Sequence, residues 1–112
     1  MTESILTSIK KLLGITEDYT IFDQDIMLHI NTVMMTLRQI GVGPAEGFMI
    51  EDKTTIWGEY LIDEKKLTAV KTYIYLKVKI LFDPPANSTT LEAFKQMADE
   101  YEWRLNFETE SW

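Results

Sequence analysis

One histidine, three closely spaced glycines and several carboxylate pairs are the residues with the chemistry for metal binding, phosphate binding or proton transfer. His29 with neighbouring carboxylates would make a mononuclear metal site. The nearest acids, Asp23 and Asp25, do not follow it at the three- or four-residue spacing that shares a helical face. A structural or partly exposed histidine is therefore expected. Ser/His/Asp catalysis would need this same histidine, and no nucleophile-elbow motif is present. Gly41, Gly43 and Gly47 lack both the preceding strand and the following helix with its lysine that make a phosphate loop, so they read as a turn. Asp99/Glu102 and Glu108/Glu110 would act as acids and bases only inside a desolvating cleft, and their pattern places them on a solvated helix face or in a tail. The chain has no cysteine, which removes disulfides and thiolate metal sites. Neither an enzyme nor a cofactor or metal site is expected.

The elements carrying these residues are helical. Ile5, Ile9, Leu12 and Leu13 recur at helical spacing before Gly14, predicting a first helix over residues 3–13. Asp23 is expected to cap a second, whose stripe is Ile26, Ile30, Val33, Leu37 and Ile40, and Gly41-Val42-Gly43-Pro44 ends it. Residues 42–62 are irregular: Gly47-Phe48-Met49-Ile50 suggests an extended piece, and Thr54-Thr55-Ile56-Trp57 a helical turn or a strand. This connector is expected to lay Phe48 and Trp57 over the core. Asp63 opens a third helix that reaches Phe82 and is apolar on two sides. Leu67, Val70, Ile74, Val78 and Leu81 form one stripe, and Ala69, Tyr73, Leu76 and Ile80 the other. Such a helix is central to its domain or shared with a neighbouring subunit. Asp83-Pro84-Pro85 must break it.

Thr89 and Glu92 have the spacing of a capping box for a fourth helix. Its core stripe is Leu91, Phe94, Ala98, Tyr101 and Leu105, with Met97 alongside. Trp103 lies about 180° from the centre of that stripe, and Phe107 falls near its side. Burying a large aromatic recovers about 1.5–3 kcal/mol, and tryptophan is enriched among interface hot spots, so protein contact is the leading use for the pair. The alternative is that Trp103 folds under the connector. Leu28 and Met35, seven residues apart and off the stripe, form a second apolar pair on helix two. The fold class is thus all-α: a compact bundle of four main helices with an irregular connector between the second and third. Residues 1–107 form one domain, and 108–112 an acidic tail.

With 11 basic and 18 acidic residues the 112-residue chain carries a net charge of −7, which opposes nonspecific binding to DNA or anionic membranes. Lys65, Lys66, Lys71, Lys77 and Lys79 cluster on helix three without a nucleic-acid motif. The first residues lack the basic region and apolar run of a signal peptide, and no window is long and apolar enough to span a bilayer.

Several segments together resemble one family. They are Ile9-Lys10-Lys11-Leu12-Leu13-Gly14-Ile15, Gly41-Val42-Gly43-Pro44, Val70-Lys71-Thr72-Tyr73-Ile74 through Lys79-Ile80-Leu81-Phe82-Asp83-Pro84-Pro85, and Glu102-Trp103-Arg104-Leu105-Asn106. The chain resembles, over essentially its full length, the small all-helical phage head–tail connector proteins, the head-completion family often described as DNA-packaging proteins. The resemblance implies a four- or five-helix protomer without catalysis or cofactors. It also implies a homo-oligomeric ring of about a dozen copies beneath the portal at the capsid vertex. The ring would extend the DNA channel, let DNA pass without sequence-specific binding, and receive a tail or head-completion protein. Such a protein is made in the bacterial host cytoplasm and ends in the virion, with no membrane partner. On this view Trp103, Phe107 and Trp112 are candidates for portal docking, and Tyr73, Leu76 and Ile80 for the subunit interface or the core. The rivals are a small helical regulatory or inhibitory module that binds one host protein, and a nucleic-acid-binding packaging accessory.

Overall fold

A computed structural model describes residues 2–107 as five helices and no strand: α1 (Ile5–Leu12), α2 (Asp23–Gln39), α3 (Trp57–Tyr60), α4 (Glu64–Phe82) and α5 (Ser88–Phe107). The chain folds as the all-α bundle that its periodicities predict. The core collects Ile5 and Ile9 of α1, Ile26, Ile30, Val33 and Leu37 of α2, and Leu67, Val70, Ile74 and Val78 of α4. The other apolar side of α4 buries Tyr73 and Leu76. The two-sided helix is therefore central, with α1, α2 and α5 all packed on it. Leu12 and Leu81, at the ends of their stripes, remain exposed.

The helix ends show why the chain turns where it does. At the end of α2, Gly41 takes φ +92°, its N–H bonds the Arg38 carbonyl at 3.0 Å, and the Val42 N–H bonds Leu37 at 2.8 Å. This pair of bonds satisfies otherwise free carbonyls and folds Val42 back into the core. Asp63 caps α4 by accepting from the Lys65 and Lys66 amides. Two expected caps are corrected. Phe22, not Asp23, is the residue that precedes α2, and the carboxylate of Asp23 turns instead to Lys10 at 2.8 Å. The start of α5 is capped by Asn87, whose Oδ1 accepts from Thr89 at 2.8 Å and Thr90 at 3.1 Å, so Thr89 lies inside the helix rather than at its edge. At α5 several polar candidates stand within one turn, whereas α2 starts without a side-chain cap.

Lys10 is buried on α1, and its ammonium reaches across to the Glu17 carbonyl at 3.0 Å, the Tyr19 carbonyl at 2.8 Å and Asp23. One side chain thus ties α1, the loop after it and the start of α2. The connector is fastened at two places. The side-chain amide of Asn31 donates to the Ile50 carbonyl at 3.0 Å and accepts from the Ile50 N–H at 2.8 Å. Thr54-Thr55-Ile56-Trp57 resolves into a single antiparallel bridge, Ser4 to Ile56, followed by the turn of α3. As expected, this lays both aromatics on the core: Trp57 is fully buried and Phe48 packs half-buried against the cluster. The indole N–H donates to Ser8 Oγ at 2.9 Å, Ser8 in turn donates to Glu3, and Lys71 stands 5.2 Å from the ring centroid. Gly43 permits the close approach of Tyr60: a Cβ there would come within 2.7 Å of the ring, at φ +86°.

Candidate functional site

The seam between α4 and α5 sets which way α5 faces. Tyr73 Oη donates to Glu102 Oε1 at 2.5 Å, and Tyr75 meets Phe94 edge to face at 6.3 Å. Burial, reinforced by the adjacent Glu102 carboxylate, raises the Tyr73 hydroxyl well above its ordinary pKa, so it stays a proton donor. From α5, Ala98 and Leu105 are fully buried, while Leu91, Phe94 and Tyr101 are half-covered. With that stripe inward, Trp103 and Phe107 must point out.

They stack on each other with ring centroids 5.4 Å apart and planes at 17°, and are 64% and 74% exposed. Arg104 pairs with Glu100 at 2.5 Å on the same helix. The alternative in which Trp103 folds beneath the connector is overturned, since the connector's buried indole is Trp57. Trp112 lies outside the described residues, as does the expected tail. Of the second group of candidates, Tyr73 and Leu76 are buried within the subunit and Ile80 is half-buried.

A second apolar feature is concave. The outer side of α2 and the extended piece of the connector enclose an open groove of about 490 Å³, lined by Leu28, Met35, Phe48 and Met49, with Arg38 and Glu46 also in its wall. Leu28, Met35 and Met49 are 65%, 64% and 64% exposed. The spacing of Leu28 and Met35 marks this place in the sequence. Met49 adds to it only because Asn31 holds the connector against α2, a long-range contact with no local signal.

The groups suited to chemistry are dispersed. His29 is half-exposed, 6.3 Å from the Phe82 ring. Asp25 precedes it by one helical turn and so does share its side of α2, a neighbour overlooked when only following acids are considered. Even so, no group of three or more His, Asp or Glu among the described residues is placed to hold a metal. Glu3 is held below the ordinary carboxylate pKa chiefly by the hydrogen bond from Ser8. Its role is to finish the Trp57–Ser8 chain. The glycines at 41, 43 and 47 form turns, all at positive φ.

Fold and surface together define a small helical protein whose distinctive exposed features among the described residues are an aromatic knob and an apolar groove. The chain belongs to the phage connector protein family, whose model matches residues 5–111. No curated protein and no solved structure matches it. It is a structural phage protein, a class that implies a place in the virion and partners among portal and tail proteins. No helix among the described residues is long and apolar enough to cross a membrane.

Proposed function

We propose that this chain is a head–tail connector subunit that assembles as a ring of about a dozen copies beneath the portal. The ring extends the DNA channel after packaging and presents a surface to the tail or to a head-completion protein. The observation that carries this reading is the family match across residues 5–111, which spans all five helices. The net charge of −7 supports it, because an acidic wall lets DNA slide past without adhering. The exposed Trp103–Phe107 stack supports it as well, as the anchor of a contact with another protein chain. The portal and a neighbouring copy are the two partners a connector subunit offers to such an anchor, with Trp112 as a further portal-docking candidate.

Native mass spectrometry of the purified protein over a concentration series, alone and with the portal of the same phage, tests this reading. A closed species of many copies, free or on the portal, is the expected result. A monomer or dimer that ignores the portal would sink it in favour of a regulatory module for one host protein. Salt-sensitive DNA retention near physiological ionic strength would instead point to a packaging accessory.

A further inference from the structure

We propose that α5 is an exchangeable arm: on assembly it leaves the α4 of its own copy and docks in the same way on the α4 of the next. The connector reading supplies the occasion on which copies meet. The exchange itself rests on how α5 is attached.

Three features of the attachment carry it. First, α5 packs on α4, and no other helix shares a comparable contact with it among the described residues. Second, the core is nearly complete without the arm. From α5 only Leu105 joins the buried residues of the main cluster, which α1, α2, the connector and α4 otherwise build. Leu76 of α4 and Ala98 of α5 are buried outside that cluster, so the seam has a small apolar layer of its own. Third, the link is short and weakly fastened. Residues 83–87 join the two helices, and Pro84 and Pro85 have no amide hydrogen to hold the reversal. Asp83 turns the chain at φ −147° and ψ 68°, whereas a residue before proline also takes ψ of about 120–160°. Rotation about that one bond redirects the arm and leaves both helices intact.

The surface that opens is covered, in the closed subunit, by α5 itself, so the structure shows what fits it. Tyr75 stands opposite Phe94, Tyr73 bonds Glu102, and Lys65 and Ala69 share a hollow with Tyr101, Arg104 and Leu105. The two helices are therefore antiparallel, and the arm of any other copy offers the same side chains in the same register. Charge favours the same seat. Helix α4 carries five lysines against one glutamate, and α5 four carboxylates against one lysine and one arginine. Reach is sufficient: a five-residue link extends about 16 Å and a twenty-residue helix about 30 Å, while the subunit measures 36 × 34 × 21 Å. Giving an arm and receiving one use different surfaces, so each copy passes its arm onward and repeated exchange closes a ring. Within one copy the link holds the arm near its face at an effective concentration in the millimolar range. A dilute chain accordingly keeps its own arm, and exchange prevails where copies are crowded together.

The chain has no cysteine, so a pair introduced across the seam reports on the seam alone. Tyr75→Cys/Phe94→Cys is the first pair, and Ala69→Cys/Leu105→Cys the second, at the other end of α4. Circular dichroism checks that each keeps the native helix content, and the pair that closes in dilute protein is carried forward. Oxidised while dilute, it should give a single locked chain that no longer assembles until it is reduced. Oxidised after assembly, alone or with the portal, then denatured and run without reductant, it should give a ladder of covalently joined chains. Single chains only from an assembled sample overturn the exchange and leave the connector reading standing. Normal assembly by the locked chain does the same. A native chain that forms no ring, alone or on the portal, removes the connector reading. In that event joined chains from concentrated protein preserve the exchange, and single chains at every concentration end it too.

Discussion

Two buried tyrosines carry opposite consequences for the same substitution. The Tyr73 hydroxyl donates to Glu102, and removing it leaves a half-buried carboxylate without that donor. Tyr73→Phe should lower unfolding stability by about 1–2 kcal/mol in urea titrations. The Tyr60 hydroxyl is buried with no hydrogen-bond partner among the described residues. Burial alone raises its pKa, and Tyr60→Phe should be neutral or stabilising by up to about 1 kcal/mol. Matching losses for both variants would contradict this contrast. Glu3 provides the pH-sensitive member. Its carboxyl is depressed by Ser8, so its contribution is present above the unfolded pKa and is lost as pH falls through the lower, folded pKa. Between about pH 5 and pH 3 the native chain should lose more stability than Glu3→Gln does, measured by urea midpoints at each pH.

The helices were readable because their apolar residues recur at the right period, and α4 even announced its central place by being apolar on two sides. Their first residues were less so. Asn87, Ser88, Thr89 and Thr90 are all plausible caps, and Glu92 makes Thr89 the most attractive by local pattern. Asn87 is the one that caps, its Oδ1 accepting from the Thr89 and Thr90 amides. Asn87→Ala should therefore cost about 1 kcal/mol, and Thr89→Ala only a few tenths, in the same denaturation assay. A larger loss at Thr89 would restore the capping box. The knob on α5 could be read from Trp103 and Phe107 standing opposite the stripe. The groove was only half visible, since Leu28 and Met35 lie on one helix but Met49 arrives through the bond of Asn31 to Ile50, nineteen residues apart. Lys10 was missed entirely. Nothing in a lysine on a short amphipathic helix signals that two loop carbonyls and Asp23 will enclose its ammonium.

Seen as one body, the protein sets apolar contact patches on an acidic surface. Copies of net charge −7 repel one another, while apolar contacts between copies would attract at short range. Raising salt from about 50 to 500 mM shortens the screening length and should shift assembly to lower protein concentration in sedimentation velocity. A shift in the other direction would mean that ion pairs, not aromatic burial, hold the copies together. A load on the exposed Trp103 directed across the helix axes would pass from α5 to α4 through the side chains packed between them. Backbone hydrogen bonds lie along those axes and carry little of such a load, so side-chain packing must bear it. From α5 the fully buried packing rests on Ala98 and Leu105, helped by the Tyr73–Glu102 bond. Under such a load this seam would open before any helix unravels. In that case α5 would swing outward while α1, α2 and α4 stay closed around Trp57.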